Sequence, residues 1–312
     1  MSTVLRIQVI KNHLAGRQLA PNPIATGFLS ADKLSRHQRE EYERDGFLVI
    51  PKLIPQDVLE ECRKHFIDIC EGRADKGPMT LMKEVNKLDS DAKGEYLYQK
   101  IQDILHDDVF STYTEFPALL DYVESFIGPN IMGMHSMLIN KPPGTSIHPP
   151  HQDLHYFPFR PEGKIVASWT AMERVDKRNG CLYVVPGTHK GELYPHTYPE
   201  GKMNKAYHGI QNHLEVAPEH ARVYVTMEAG DTVFFHPLLV HGSGPNTSDN
   251  FRKAISCHYA SSQCHYIETK GTTQENIAAE VEALALRRGM DANFKDIWYL
   301  RGKCVRGDRI NI

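Results

Sequence analysis

No apolar run in this sequence approaches the ~20 residues that a membrane-spanning helix needs, so no segment reads as a span. A secretory signal is also missing, because Arg6 and Lys11 interrupt the short apolar stretch at the N-terminus. There is no block of like charge. Thirty-six basic residues stand against 39 acidic ones, for a net charge of −3. That balance argues against nucleic acid or a membrane surface as the main partner. The sequence has no Cys-x-x-Cys pair, and Cys62, Cys70, Cys181, Cys257, Cys264 and Cys304 follow no regular framework. In a chain of this length they read as free thiols of a reducing, intracellular compartment. Internal repeats and low-complexity tracts are absent too.

What is present is the composition of an ordinary soluble globular protein, with 41% apolar and 24% charged residues. The 312 residues suit one large β architecture as well as they suit two domains. Ser35 reads as the start of a charged helix that Gly46 ends. Phe47–Ile50 is a short apolar run bounded by Gly and Pro, and reads as a buried strand. Helical spacing recurs over 57–70 (Val58, Leu59, Cys62, Phe66, Ile69) and over 116–126. Residues 72–99 are polar and give no clear signal.

From Ile131 the pattern changes to short strands at 131–139, 164–173, 181–185, 222–227, 232–235 and 254–260, separated by turn clusters such as Arg178-Asn179-Gly180. Such a run implies a sandwich, barrel or jelly roll. A last helix is expected over 272–288, opened by a Thr-Thr-Gln-Glu capping box. The fold class expected is mainly β with flanking helices: a double-stranded β-helix (jelly roll, cupin-like) with an N-terminal helical layer. The expected organisation is a targeting segment and linker at 1–30 and a single domain at 31–312. Within that domain the helical layer covers about 31–130, the jelly-roll core about 131–262, and a C-terminal helix and tail 263–312.

The densest polar cluster is His148-Pro-Pro-His151-Gln152-Asp153-Leu154-His155. Positions i and i+2 of an extended segment face the same way, so His151 and Asp153 can meet one metal. His241, after the apolar stretch at 232–235 and beside glycines, is the best third ligand. Two histidines and a carboxylate on one face leave adjacent positions open, which suits oxygen-activating ferrous iron. Catalytic zinc more often takes three histidines, or two and a glutamate. Taken alone, His151 also reads as a loop histidine and Asp153 as a turn cap. Arg252, eleven residues past His241, can hold a small dicarboxylate through its fork of donors; alone it reads as a solvated strand-edge cation.

The three features together resemble the 2-oxoglutarate oxygenases, and the surrounding sequence is similar to the phytanoyl-CoA dioxygenase family. The matching stretches are GFLVI (46–50), GPNIMGMHSMLINKPP (128–143), HQDLHYFPFRP (151–161), WTAMERV (169–175), NGCLYVVPGTHKG (179–191), GDTVFFHPLLVHGSG (230–244) and FRKAISCHYAS (251–261). Residues 72–99 match poorly. The resemblance implies Fe(II) on His151, Asp153 and His241, with 2-oxoglutarate and O2 as co-substrates and ascorbate as reductant. It pairs Arg252 with the distal carboxylate of 2-oxoglutarate, and places Lys100, Met137, Gln152, Trp169 and Ser243 around that co-substrate. Read alone, Lys100 is a solvated residue of a polar helix, Met137 and Trp169 are core, Gln152 faces solvent and Ser243 satisfies a turn. His135 and His258 read as hydrogen-bonded or core histidines; His148, His155 and His236 read as structural.

The activity the resemblance implies is 2-hydroxylation of a 3-methyl-branched acyl-CoA, phytanoyl-CoA to 2-hydroxyphytanoyl-CoA, opening peroxisomal α-oxidation. Halogenating relatives lack the carboxylate at the Asp153 position, so its presence favours hydroxylation. The alternatives are the same chemistry on another acyl-CoA or lipid, a catalytically silent jelly-roll binding protein, and a zinc hydrolase. Arg6-Ile7, five residues, then His13-Leu14 resembles the N-terminal peroxisomal targeting signal, and a helix sets Arg6 and His13 on one face for an import receptor. The final Ile-Asn-Ile is not the Ser-Lys-Leu type.

Overall fold

The computed structural model describes residues 33–84, 87, 90–198 and 208–312. The expected targeting residues Arg6, Ile7, His13 and Leu14 lie outside the described residues. The helix Arg36–Asp45 starts as its sequence predicts. The Ser35 hydroxyl accepts from the Gln38 N–H at 3.2 Å, and the Gln38 side chain accepts from the Ser35 N–H at 2.9 Å. These two bonds close a capping box. Gly46, at φ +84°, ends the helix in the left-handed region and sends the chain straight into the strand Phe47–Ile50. The helix Gln56–Cys70 buries Leu59, Cys62, Phe66 and Ile69, one stripe at 3–4 residue spacing. Pro117–Ile127, opened by a proline that needs no donor there, buries Leu119, Leu120, Val123 and Ile127. Both helices pack into one apolar cluster with Leu138, Val166, Phe234 and Ile255 of the adjacent sheet.

That sheet has eight antiparallel strands. Seven run in the order Phe47–Ile50, Thr232–Phe235, Ile165–Ala171, Arg252–Ser261, Ile131–Lys141, Tyr98–Gln102, Thr80–Lys83, and Lys303–Arg306 also pairs with Ile131–Lys141. Arg252–Ser261 is buried at all ten positions and Ile165–Ala171 at all seven. Helices cover one of their faces and a second sheet covers the other, so neither strand alternates in polarity. The second sheet is shorter: Val223–Tyr224, Leu182–Val184, His241–Ser243, His148–His151. Trp169, Ala171, Leu182, Val184, Val233 and Phe235 fill the space between the sheets. The architecture is the expected double-stranded β-helix under a helical layer.

Several local expectations change. The polar stretch at 72–99 contributes the edge strand Thr80–Lys83, and Lys100 lies on the strand Tyr98–Gln102, not on a helix. Its buried face is Gln99 and Ile101; a buried glutamine, spent on the Lys83 carbonyl at 3.0 Å, hides the alternation. The strand expected at 222–227 is reduced to Val223–Tyr224 plus a single bridge from Val175 to Met227. The expected capping box at 272–275 does not form, and the helix begins at Glu275. Thr272 instead closes a turn, donating to the Thr269 carbonyl and accepting from the Gln274 N–H. The buried Gln274 amide donates to the carbonyls of Leu154, His155 and Phe157 at 2.9–3.1 Å. This anchors the helix on the loop that carries Asp153. The expected tail also holds a helix, Phe294–Arg301, and the strand Lys303–Arg306, so the large sheet draws strands from both sides of 131–262. All six cysteines are free. Among the described residues no helix is long and apolar enough to cross a membrane.

Candidate metal centre between two cavities

Strand pairing brings the three candidate ligands together. His151 ends the strand His148–His151 and lies opposite His241, the first residue of His241–Ser243. Gln152 is extended, and Asp153 opens a single 3-10 turn. One ligand atom from each of His151, Asp153 and His241 lies within 4.8 Å of the others, and all three residues are buried. His151 Nε2 is 3.4 Å from Asp153 Oδ1, and His241 Nε2 is 3.7 Å from Asp153 Oδ2. The tautomers follow from the partners. His151 Nδ1 lies 2.9 Å from the Pro149 carbonyl and His241 Nδ1 2.9 Å from the Leu239 carbonyl. A carbonyl only accepts, so each Nδ1 carries a proton and each Nε2 is turned toward Asp153. Burial, then the neighbouring His151, pushes the His241 pKa down to about 4.

Asp153 is held in place from behind. Burial alone raises its carboxyl pKa, but the neighbouring His241 and His258 and the hydrogen bonds from His151 and His258 outweigh that and hold it well below the usual range. The His258 bond is the short one, 2.7 Å from Nε2 to Asp153 Oδ2, and fixes the carboxylate as a ligand's outer partner does. Gly242, next to His241, has no room for a side chain: a Cβ there meets the Tyr183 hydroxyl at 2.4 Å and the His148 carbonyl at 2.8 Å.

Two cavities lie near the triad, and only the second is lined by any of its residues. One is lined by Ile139, Lys141, Thr145, His148, Trp169, Ser243 and Arg252. Arg252, only 2% exposed, is no strand-edge cation. Its guanidinium lies 5.5 Å from the Trp169 ring centre and 3.5 Å from Ser243 Oγ. The other cavity is lined by Lys100, Met137, His151, Asp153, Tyr156, Phe157, His258, Ile277, Val281, Phe294, Trp298 and Arg301. His148 lines both, its ring stacked on His151 at 4.2 Å. Burial pushes the His148 pKa well down, so this dividing ring is neutral.

The residues expected around the co-substrate therefore separate. Trp169, Ser243 and Arg252 line the first cavity, Lys100 and Met137 the second. Gln152 lines neither cavity. It is fully buried, its amide nitrogen donating to the carbonyls of Glu192 (3.0 Å) and Leu238 (2.8 Å) and its oxygen accepting from the Tyr194 N–H (2.8 Å). Gln152 joins these loops and does not face solvent. His155 is structural as expected, stacked on His196 at 4.5 Å, and His196 accepts from the Gln152 N–H. Sequence reasoning missed the role of Lys141 beside Arg252. The signal was there: His135, Met137, Ile139 and Lys141 are i, i+2 neighbours on one face of a strand.

The profile of the phytanoyl-CoA dioxygenase (PhyH) family matches residues 42–254. A human protein named peroxisomal phytanoyl-CoA dioxygenase is 47% identical over 334 aligned positions, covering 98% of each chain. A probable phytanoyl-CoA dioxygenase from Caenorhabditis elegans is 50% identical over 301 positions, covering 89% of this chain and 95% of its own. Among solved structures, EctD from S. alaskensis with 2-oxoglutarate and 5-hydroxyectoine superposes with a TM-score of 0.60 at 18% identity, covering 80% of this chain and 87% of EctD. The epimerase SnoN in complex with Fe3+ and alpha ketoglutarate gives 0.56 at 19%, covering 75% and 86%. At that identity the likeness is one of fold.

Proposed function

This chain belongs to the phytanoyl-CoA dioxygenase family, and on that premise we propose that His151, Asp153 and His241 hold the ferrous ion of a peroxisomal enzyme that hydroxylates phytanoyl-CoA at its second carbon. The observation that carries the assignment is the donor set: two imidazole nitrogens and one carboxylate oxygen, buried together within 4.8 Å of one another. Such a set fits iron that must keep positions open for a chelating co-substrate and O2. Iron held there supplies the oxidising chemistry, with 2-oxoglutarate as the electron source and ascorbate as the reductant that restores it.

The chain's own residues do the placing. Arg252 and Ser243 seat the distal carboxylate of 2-oxoglutarate, with Trp169 as the wall beside them. Lys100 and Met137 bound the co-substrate from the second cavity. Tyr156, Phe157, Ile277, Phe294 and Trp298 give the acyl chain an apolar surface that also keeps water from the reacting carbon. His258 fixes the Asp153 carboxylate so that the ligand does not swing away. Gln152 contributes by holding loops, not by touching co-substrate.

Purified protein supplied with Fe(II), 2-oxoglutarate, O2 and ascorbate is expected to release succinate matched by 2-hydroxyphytanoyl-CoA, read by mass spectrometry against an Asp153→Ala blank. Succinate without hydroxylated phytanoyl-CoA, but with a hydroxylated straight-chain acyl-CoA, moves the substrate to another acyl-CoA. No succinate from folded, iron-loaded protein returns the chain to the silent binding reading. Turnover without O2 or 2-oxoglutarate returns it to the zinc reading. Arg6, Ile7, His13 and Leu14 are proposed to carry the chain to the peroxisomal import receptor; a reporter fused to residues 1–20 that stays cytosolic removes that step.

A further inference from the structure

Two buried cations face each other across the large sheet. In the pairing of Arg252–Ser261 with Ile131–Lys141, Arg252 lies directly opposite Lys141. Lys141 is 4% exposed, and both side chains enter the same cavity. Like charges directly opposed on neighbouring strands are destabilising, and burial removes the water that otherwise screens them. Among the described residues lining this cavity the one acid is Glu84, 5% exposed. Within the lining two cations meet that one carboxylate, while Glu173 acts on Arg252 from outside it.

The placement is built. Lys141 Nζ donates to Ser243 Oγ at 2.9 Å and also to the Gly244 carbonyl. Its own carbonyl accepts from the Asn246 side chain at 2.8 Å. Gly180, at φ +83°, lets the loop pass over the lysine stem; a Cβ there falls 2.7 Å from the Gly244 carbonyl and 3.2 Å from Lys141 Cδ. Ser243 is the meeting point. Its oxygen receives Lys141 at 2.9 Å and Arg252 at 3.5 Å, so its own proton is free to be donated onward. A hydroxyl donor beside two cations is a seat for one carboxylate.

We propose that Lys141 is a second cation of the co-substrate seat, acting with Arg252 and Ser243 on the distal carboxylate of a 2-oxo dicarboxylate. The proposal rests on the functional reading above and adds a residue that reading does not use. The negative charge of that carboxylate joins that of Glu84 against the two cations of the lining. Burial and the Arg252 charge push the Lys141 pKa well below its ordinary range, and an anion seated between the two reverses that shift.

The test is calorimetric and needs no turnover. Full-length protein loaded with Mn(II) in place of iron is titrated without O2, once with 2-oxoglutarate and once with 2-oxopentanoate, which lacks the distal carboxylate. Lys141→Met is expected to weaken 2-oxoglutarate at least about ten-fold, as loss of a charge-assisted bond implies, and to leave 2-oxopentanoate within about two-fold. Lys141→Gln keeps a donor for Ser243 and Gly244 and decides the matter if the methionine variant fails to fold; it is expected to lose the same selectivity. A 2-oxoglutarate affinity unchanged within two-fold overturns the proposal alone, and so does an equal loss for both ligands. Parent protein that does not bind 2-oxoglutarate overturns the functional reading, and the proposal with it.

Discussion

The two cavities beside the metal triad are built on different principles. The first is closed by charge: Arg252, Lys141 and Ser243 converge from strands buried on both faces, and the residues around them are held by backbone hydrogen bonds. The second is closed by shape. Phe294 and Trp298 come from the C-terminal helix, Ile277 and Val281 from the helix before it, and Tyr156 and Phe157 from the loop after Asp153. A small anion is recognised by a few fixed donors whose geometry a rigid sheet preserves. An acyl chain offers only area, which helices can present without fixed donors. On the function proposed above, the difference gives specificity for the co-substrate to the sheet and specificity for the substrate to the C-terminal helices.

The largest expected effect comes from a candidate metal ligand itself. Asp153→Ala is expected to bring succinate and hydroxylated acyl-CoA down together to the blank, because a donor and a negative charge leave the metal site. Mass spectrometry of both products checks this; a variant that still makes succinate shows that the two sides operate separately. Next comes a one-sided change. Arg252→Ala is expected to raise the KM for 2-oxoglutarate by about 100-fold, the scale of a lost buried charge contact of ~2–3 kcal/mol. The KM for acyl-CoA stays within about two-fold. Equal shifts in both constants in steady-state assays break the division.

A third effect is structural. The buried Gln152 amide satisfies the Glu192 and Leu238 carbonyls and the Tyr194 N–H. Gln152→Ala leaves these three backbone groups without their partner, at about 1–3 kcal/mol for each group left unsatisfied. Denaturant unfolding is expected to show a loss of about 3 kcal/mol, while direct 2-oxoglutarate binding to the folded fraction stays within a few-fold. A large loss of affinity with intact stability returns Gln152 to the co-substrate pocket.

These residues also mark what the sequence reveals and what it conceals. His151, Asp153 and His241 were legible because the i, i+2 rule and a strand after a turn are local facts. The helices at 56–70 and 117–127 are legible because each buries a stripe at helical spacing, and that at 36–45, which buries none, because Ser35 opens it and Gly46 ends it. Lys100 was misread as helical because a buried glutamine breaks the alternation of its strand. Thr272 and Gln274 were misread because a capping box is a local pattern, and the Gln274 amide is drawn away by three carbonyls more than a hundred residues distant in sequence. Gln152 was assigned by the company it keeps, between two ligands. Its direction is set by loops at 192–194 and 238 that no spacing rule connects to it. The division into two cavities was not legible at all, since it depends on His148 standing between them.

The smallest effect tests whether the division is complete, because Lys100 is expected at the co-substrate yet lines the second cavity. Burial is the main cause that brings its pKa down to about 8 from the ordinary 10.5, with Arg301 adding to it and Asp103 and Asp153 opposing. Below about pH 8 the folded protein therefore carries the Lys100 charge, and above it the amine is neutral. Between about 8 and 10.5 the unfolded chain holds a proton that the folded protein has released, so stability gains from rising pH across that window. If Lys100 holds an anionic co-substrate, affinity moves the other way and the KM for 2-oxoglutarate rises a few-fold from about pH 7.5 to 9. In Lys100→Met both slopes flatten. A KM that is level with pH in the parent, alongside a stability that still rises, makes Lys100 a wall of the acyl cavity and leaves the anion wholly to the Arg252 side.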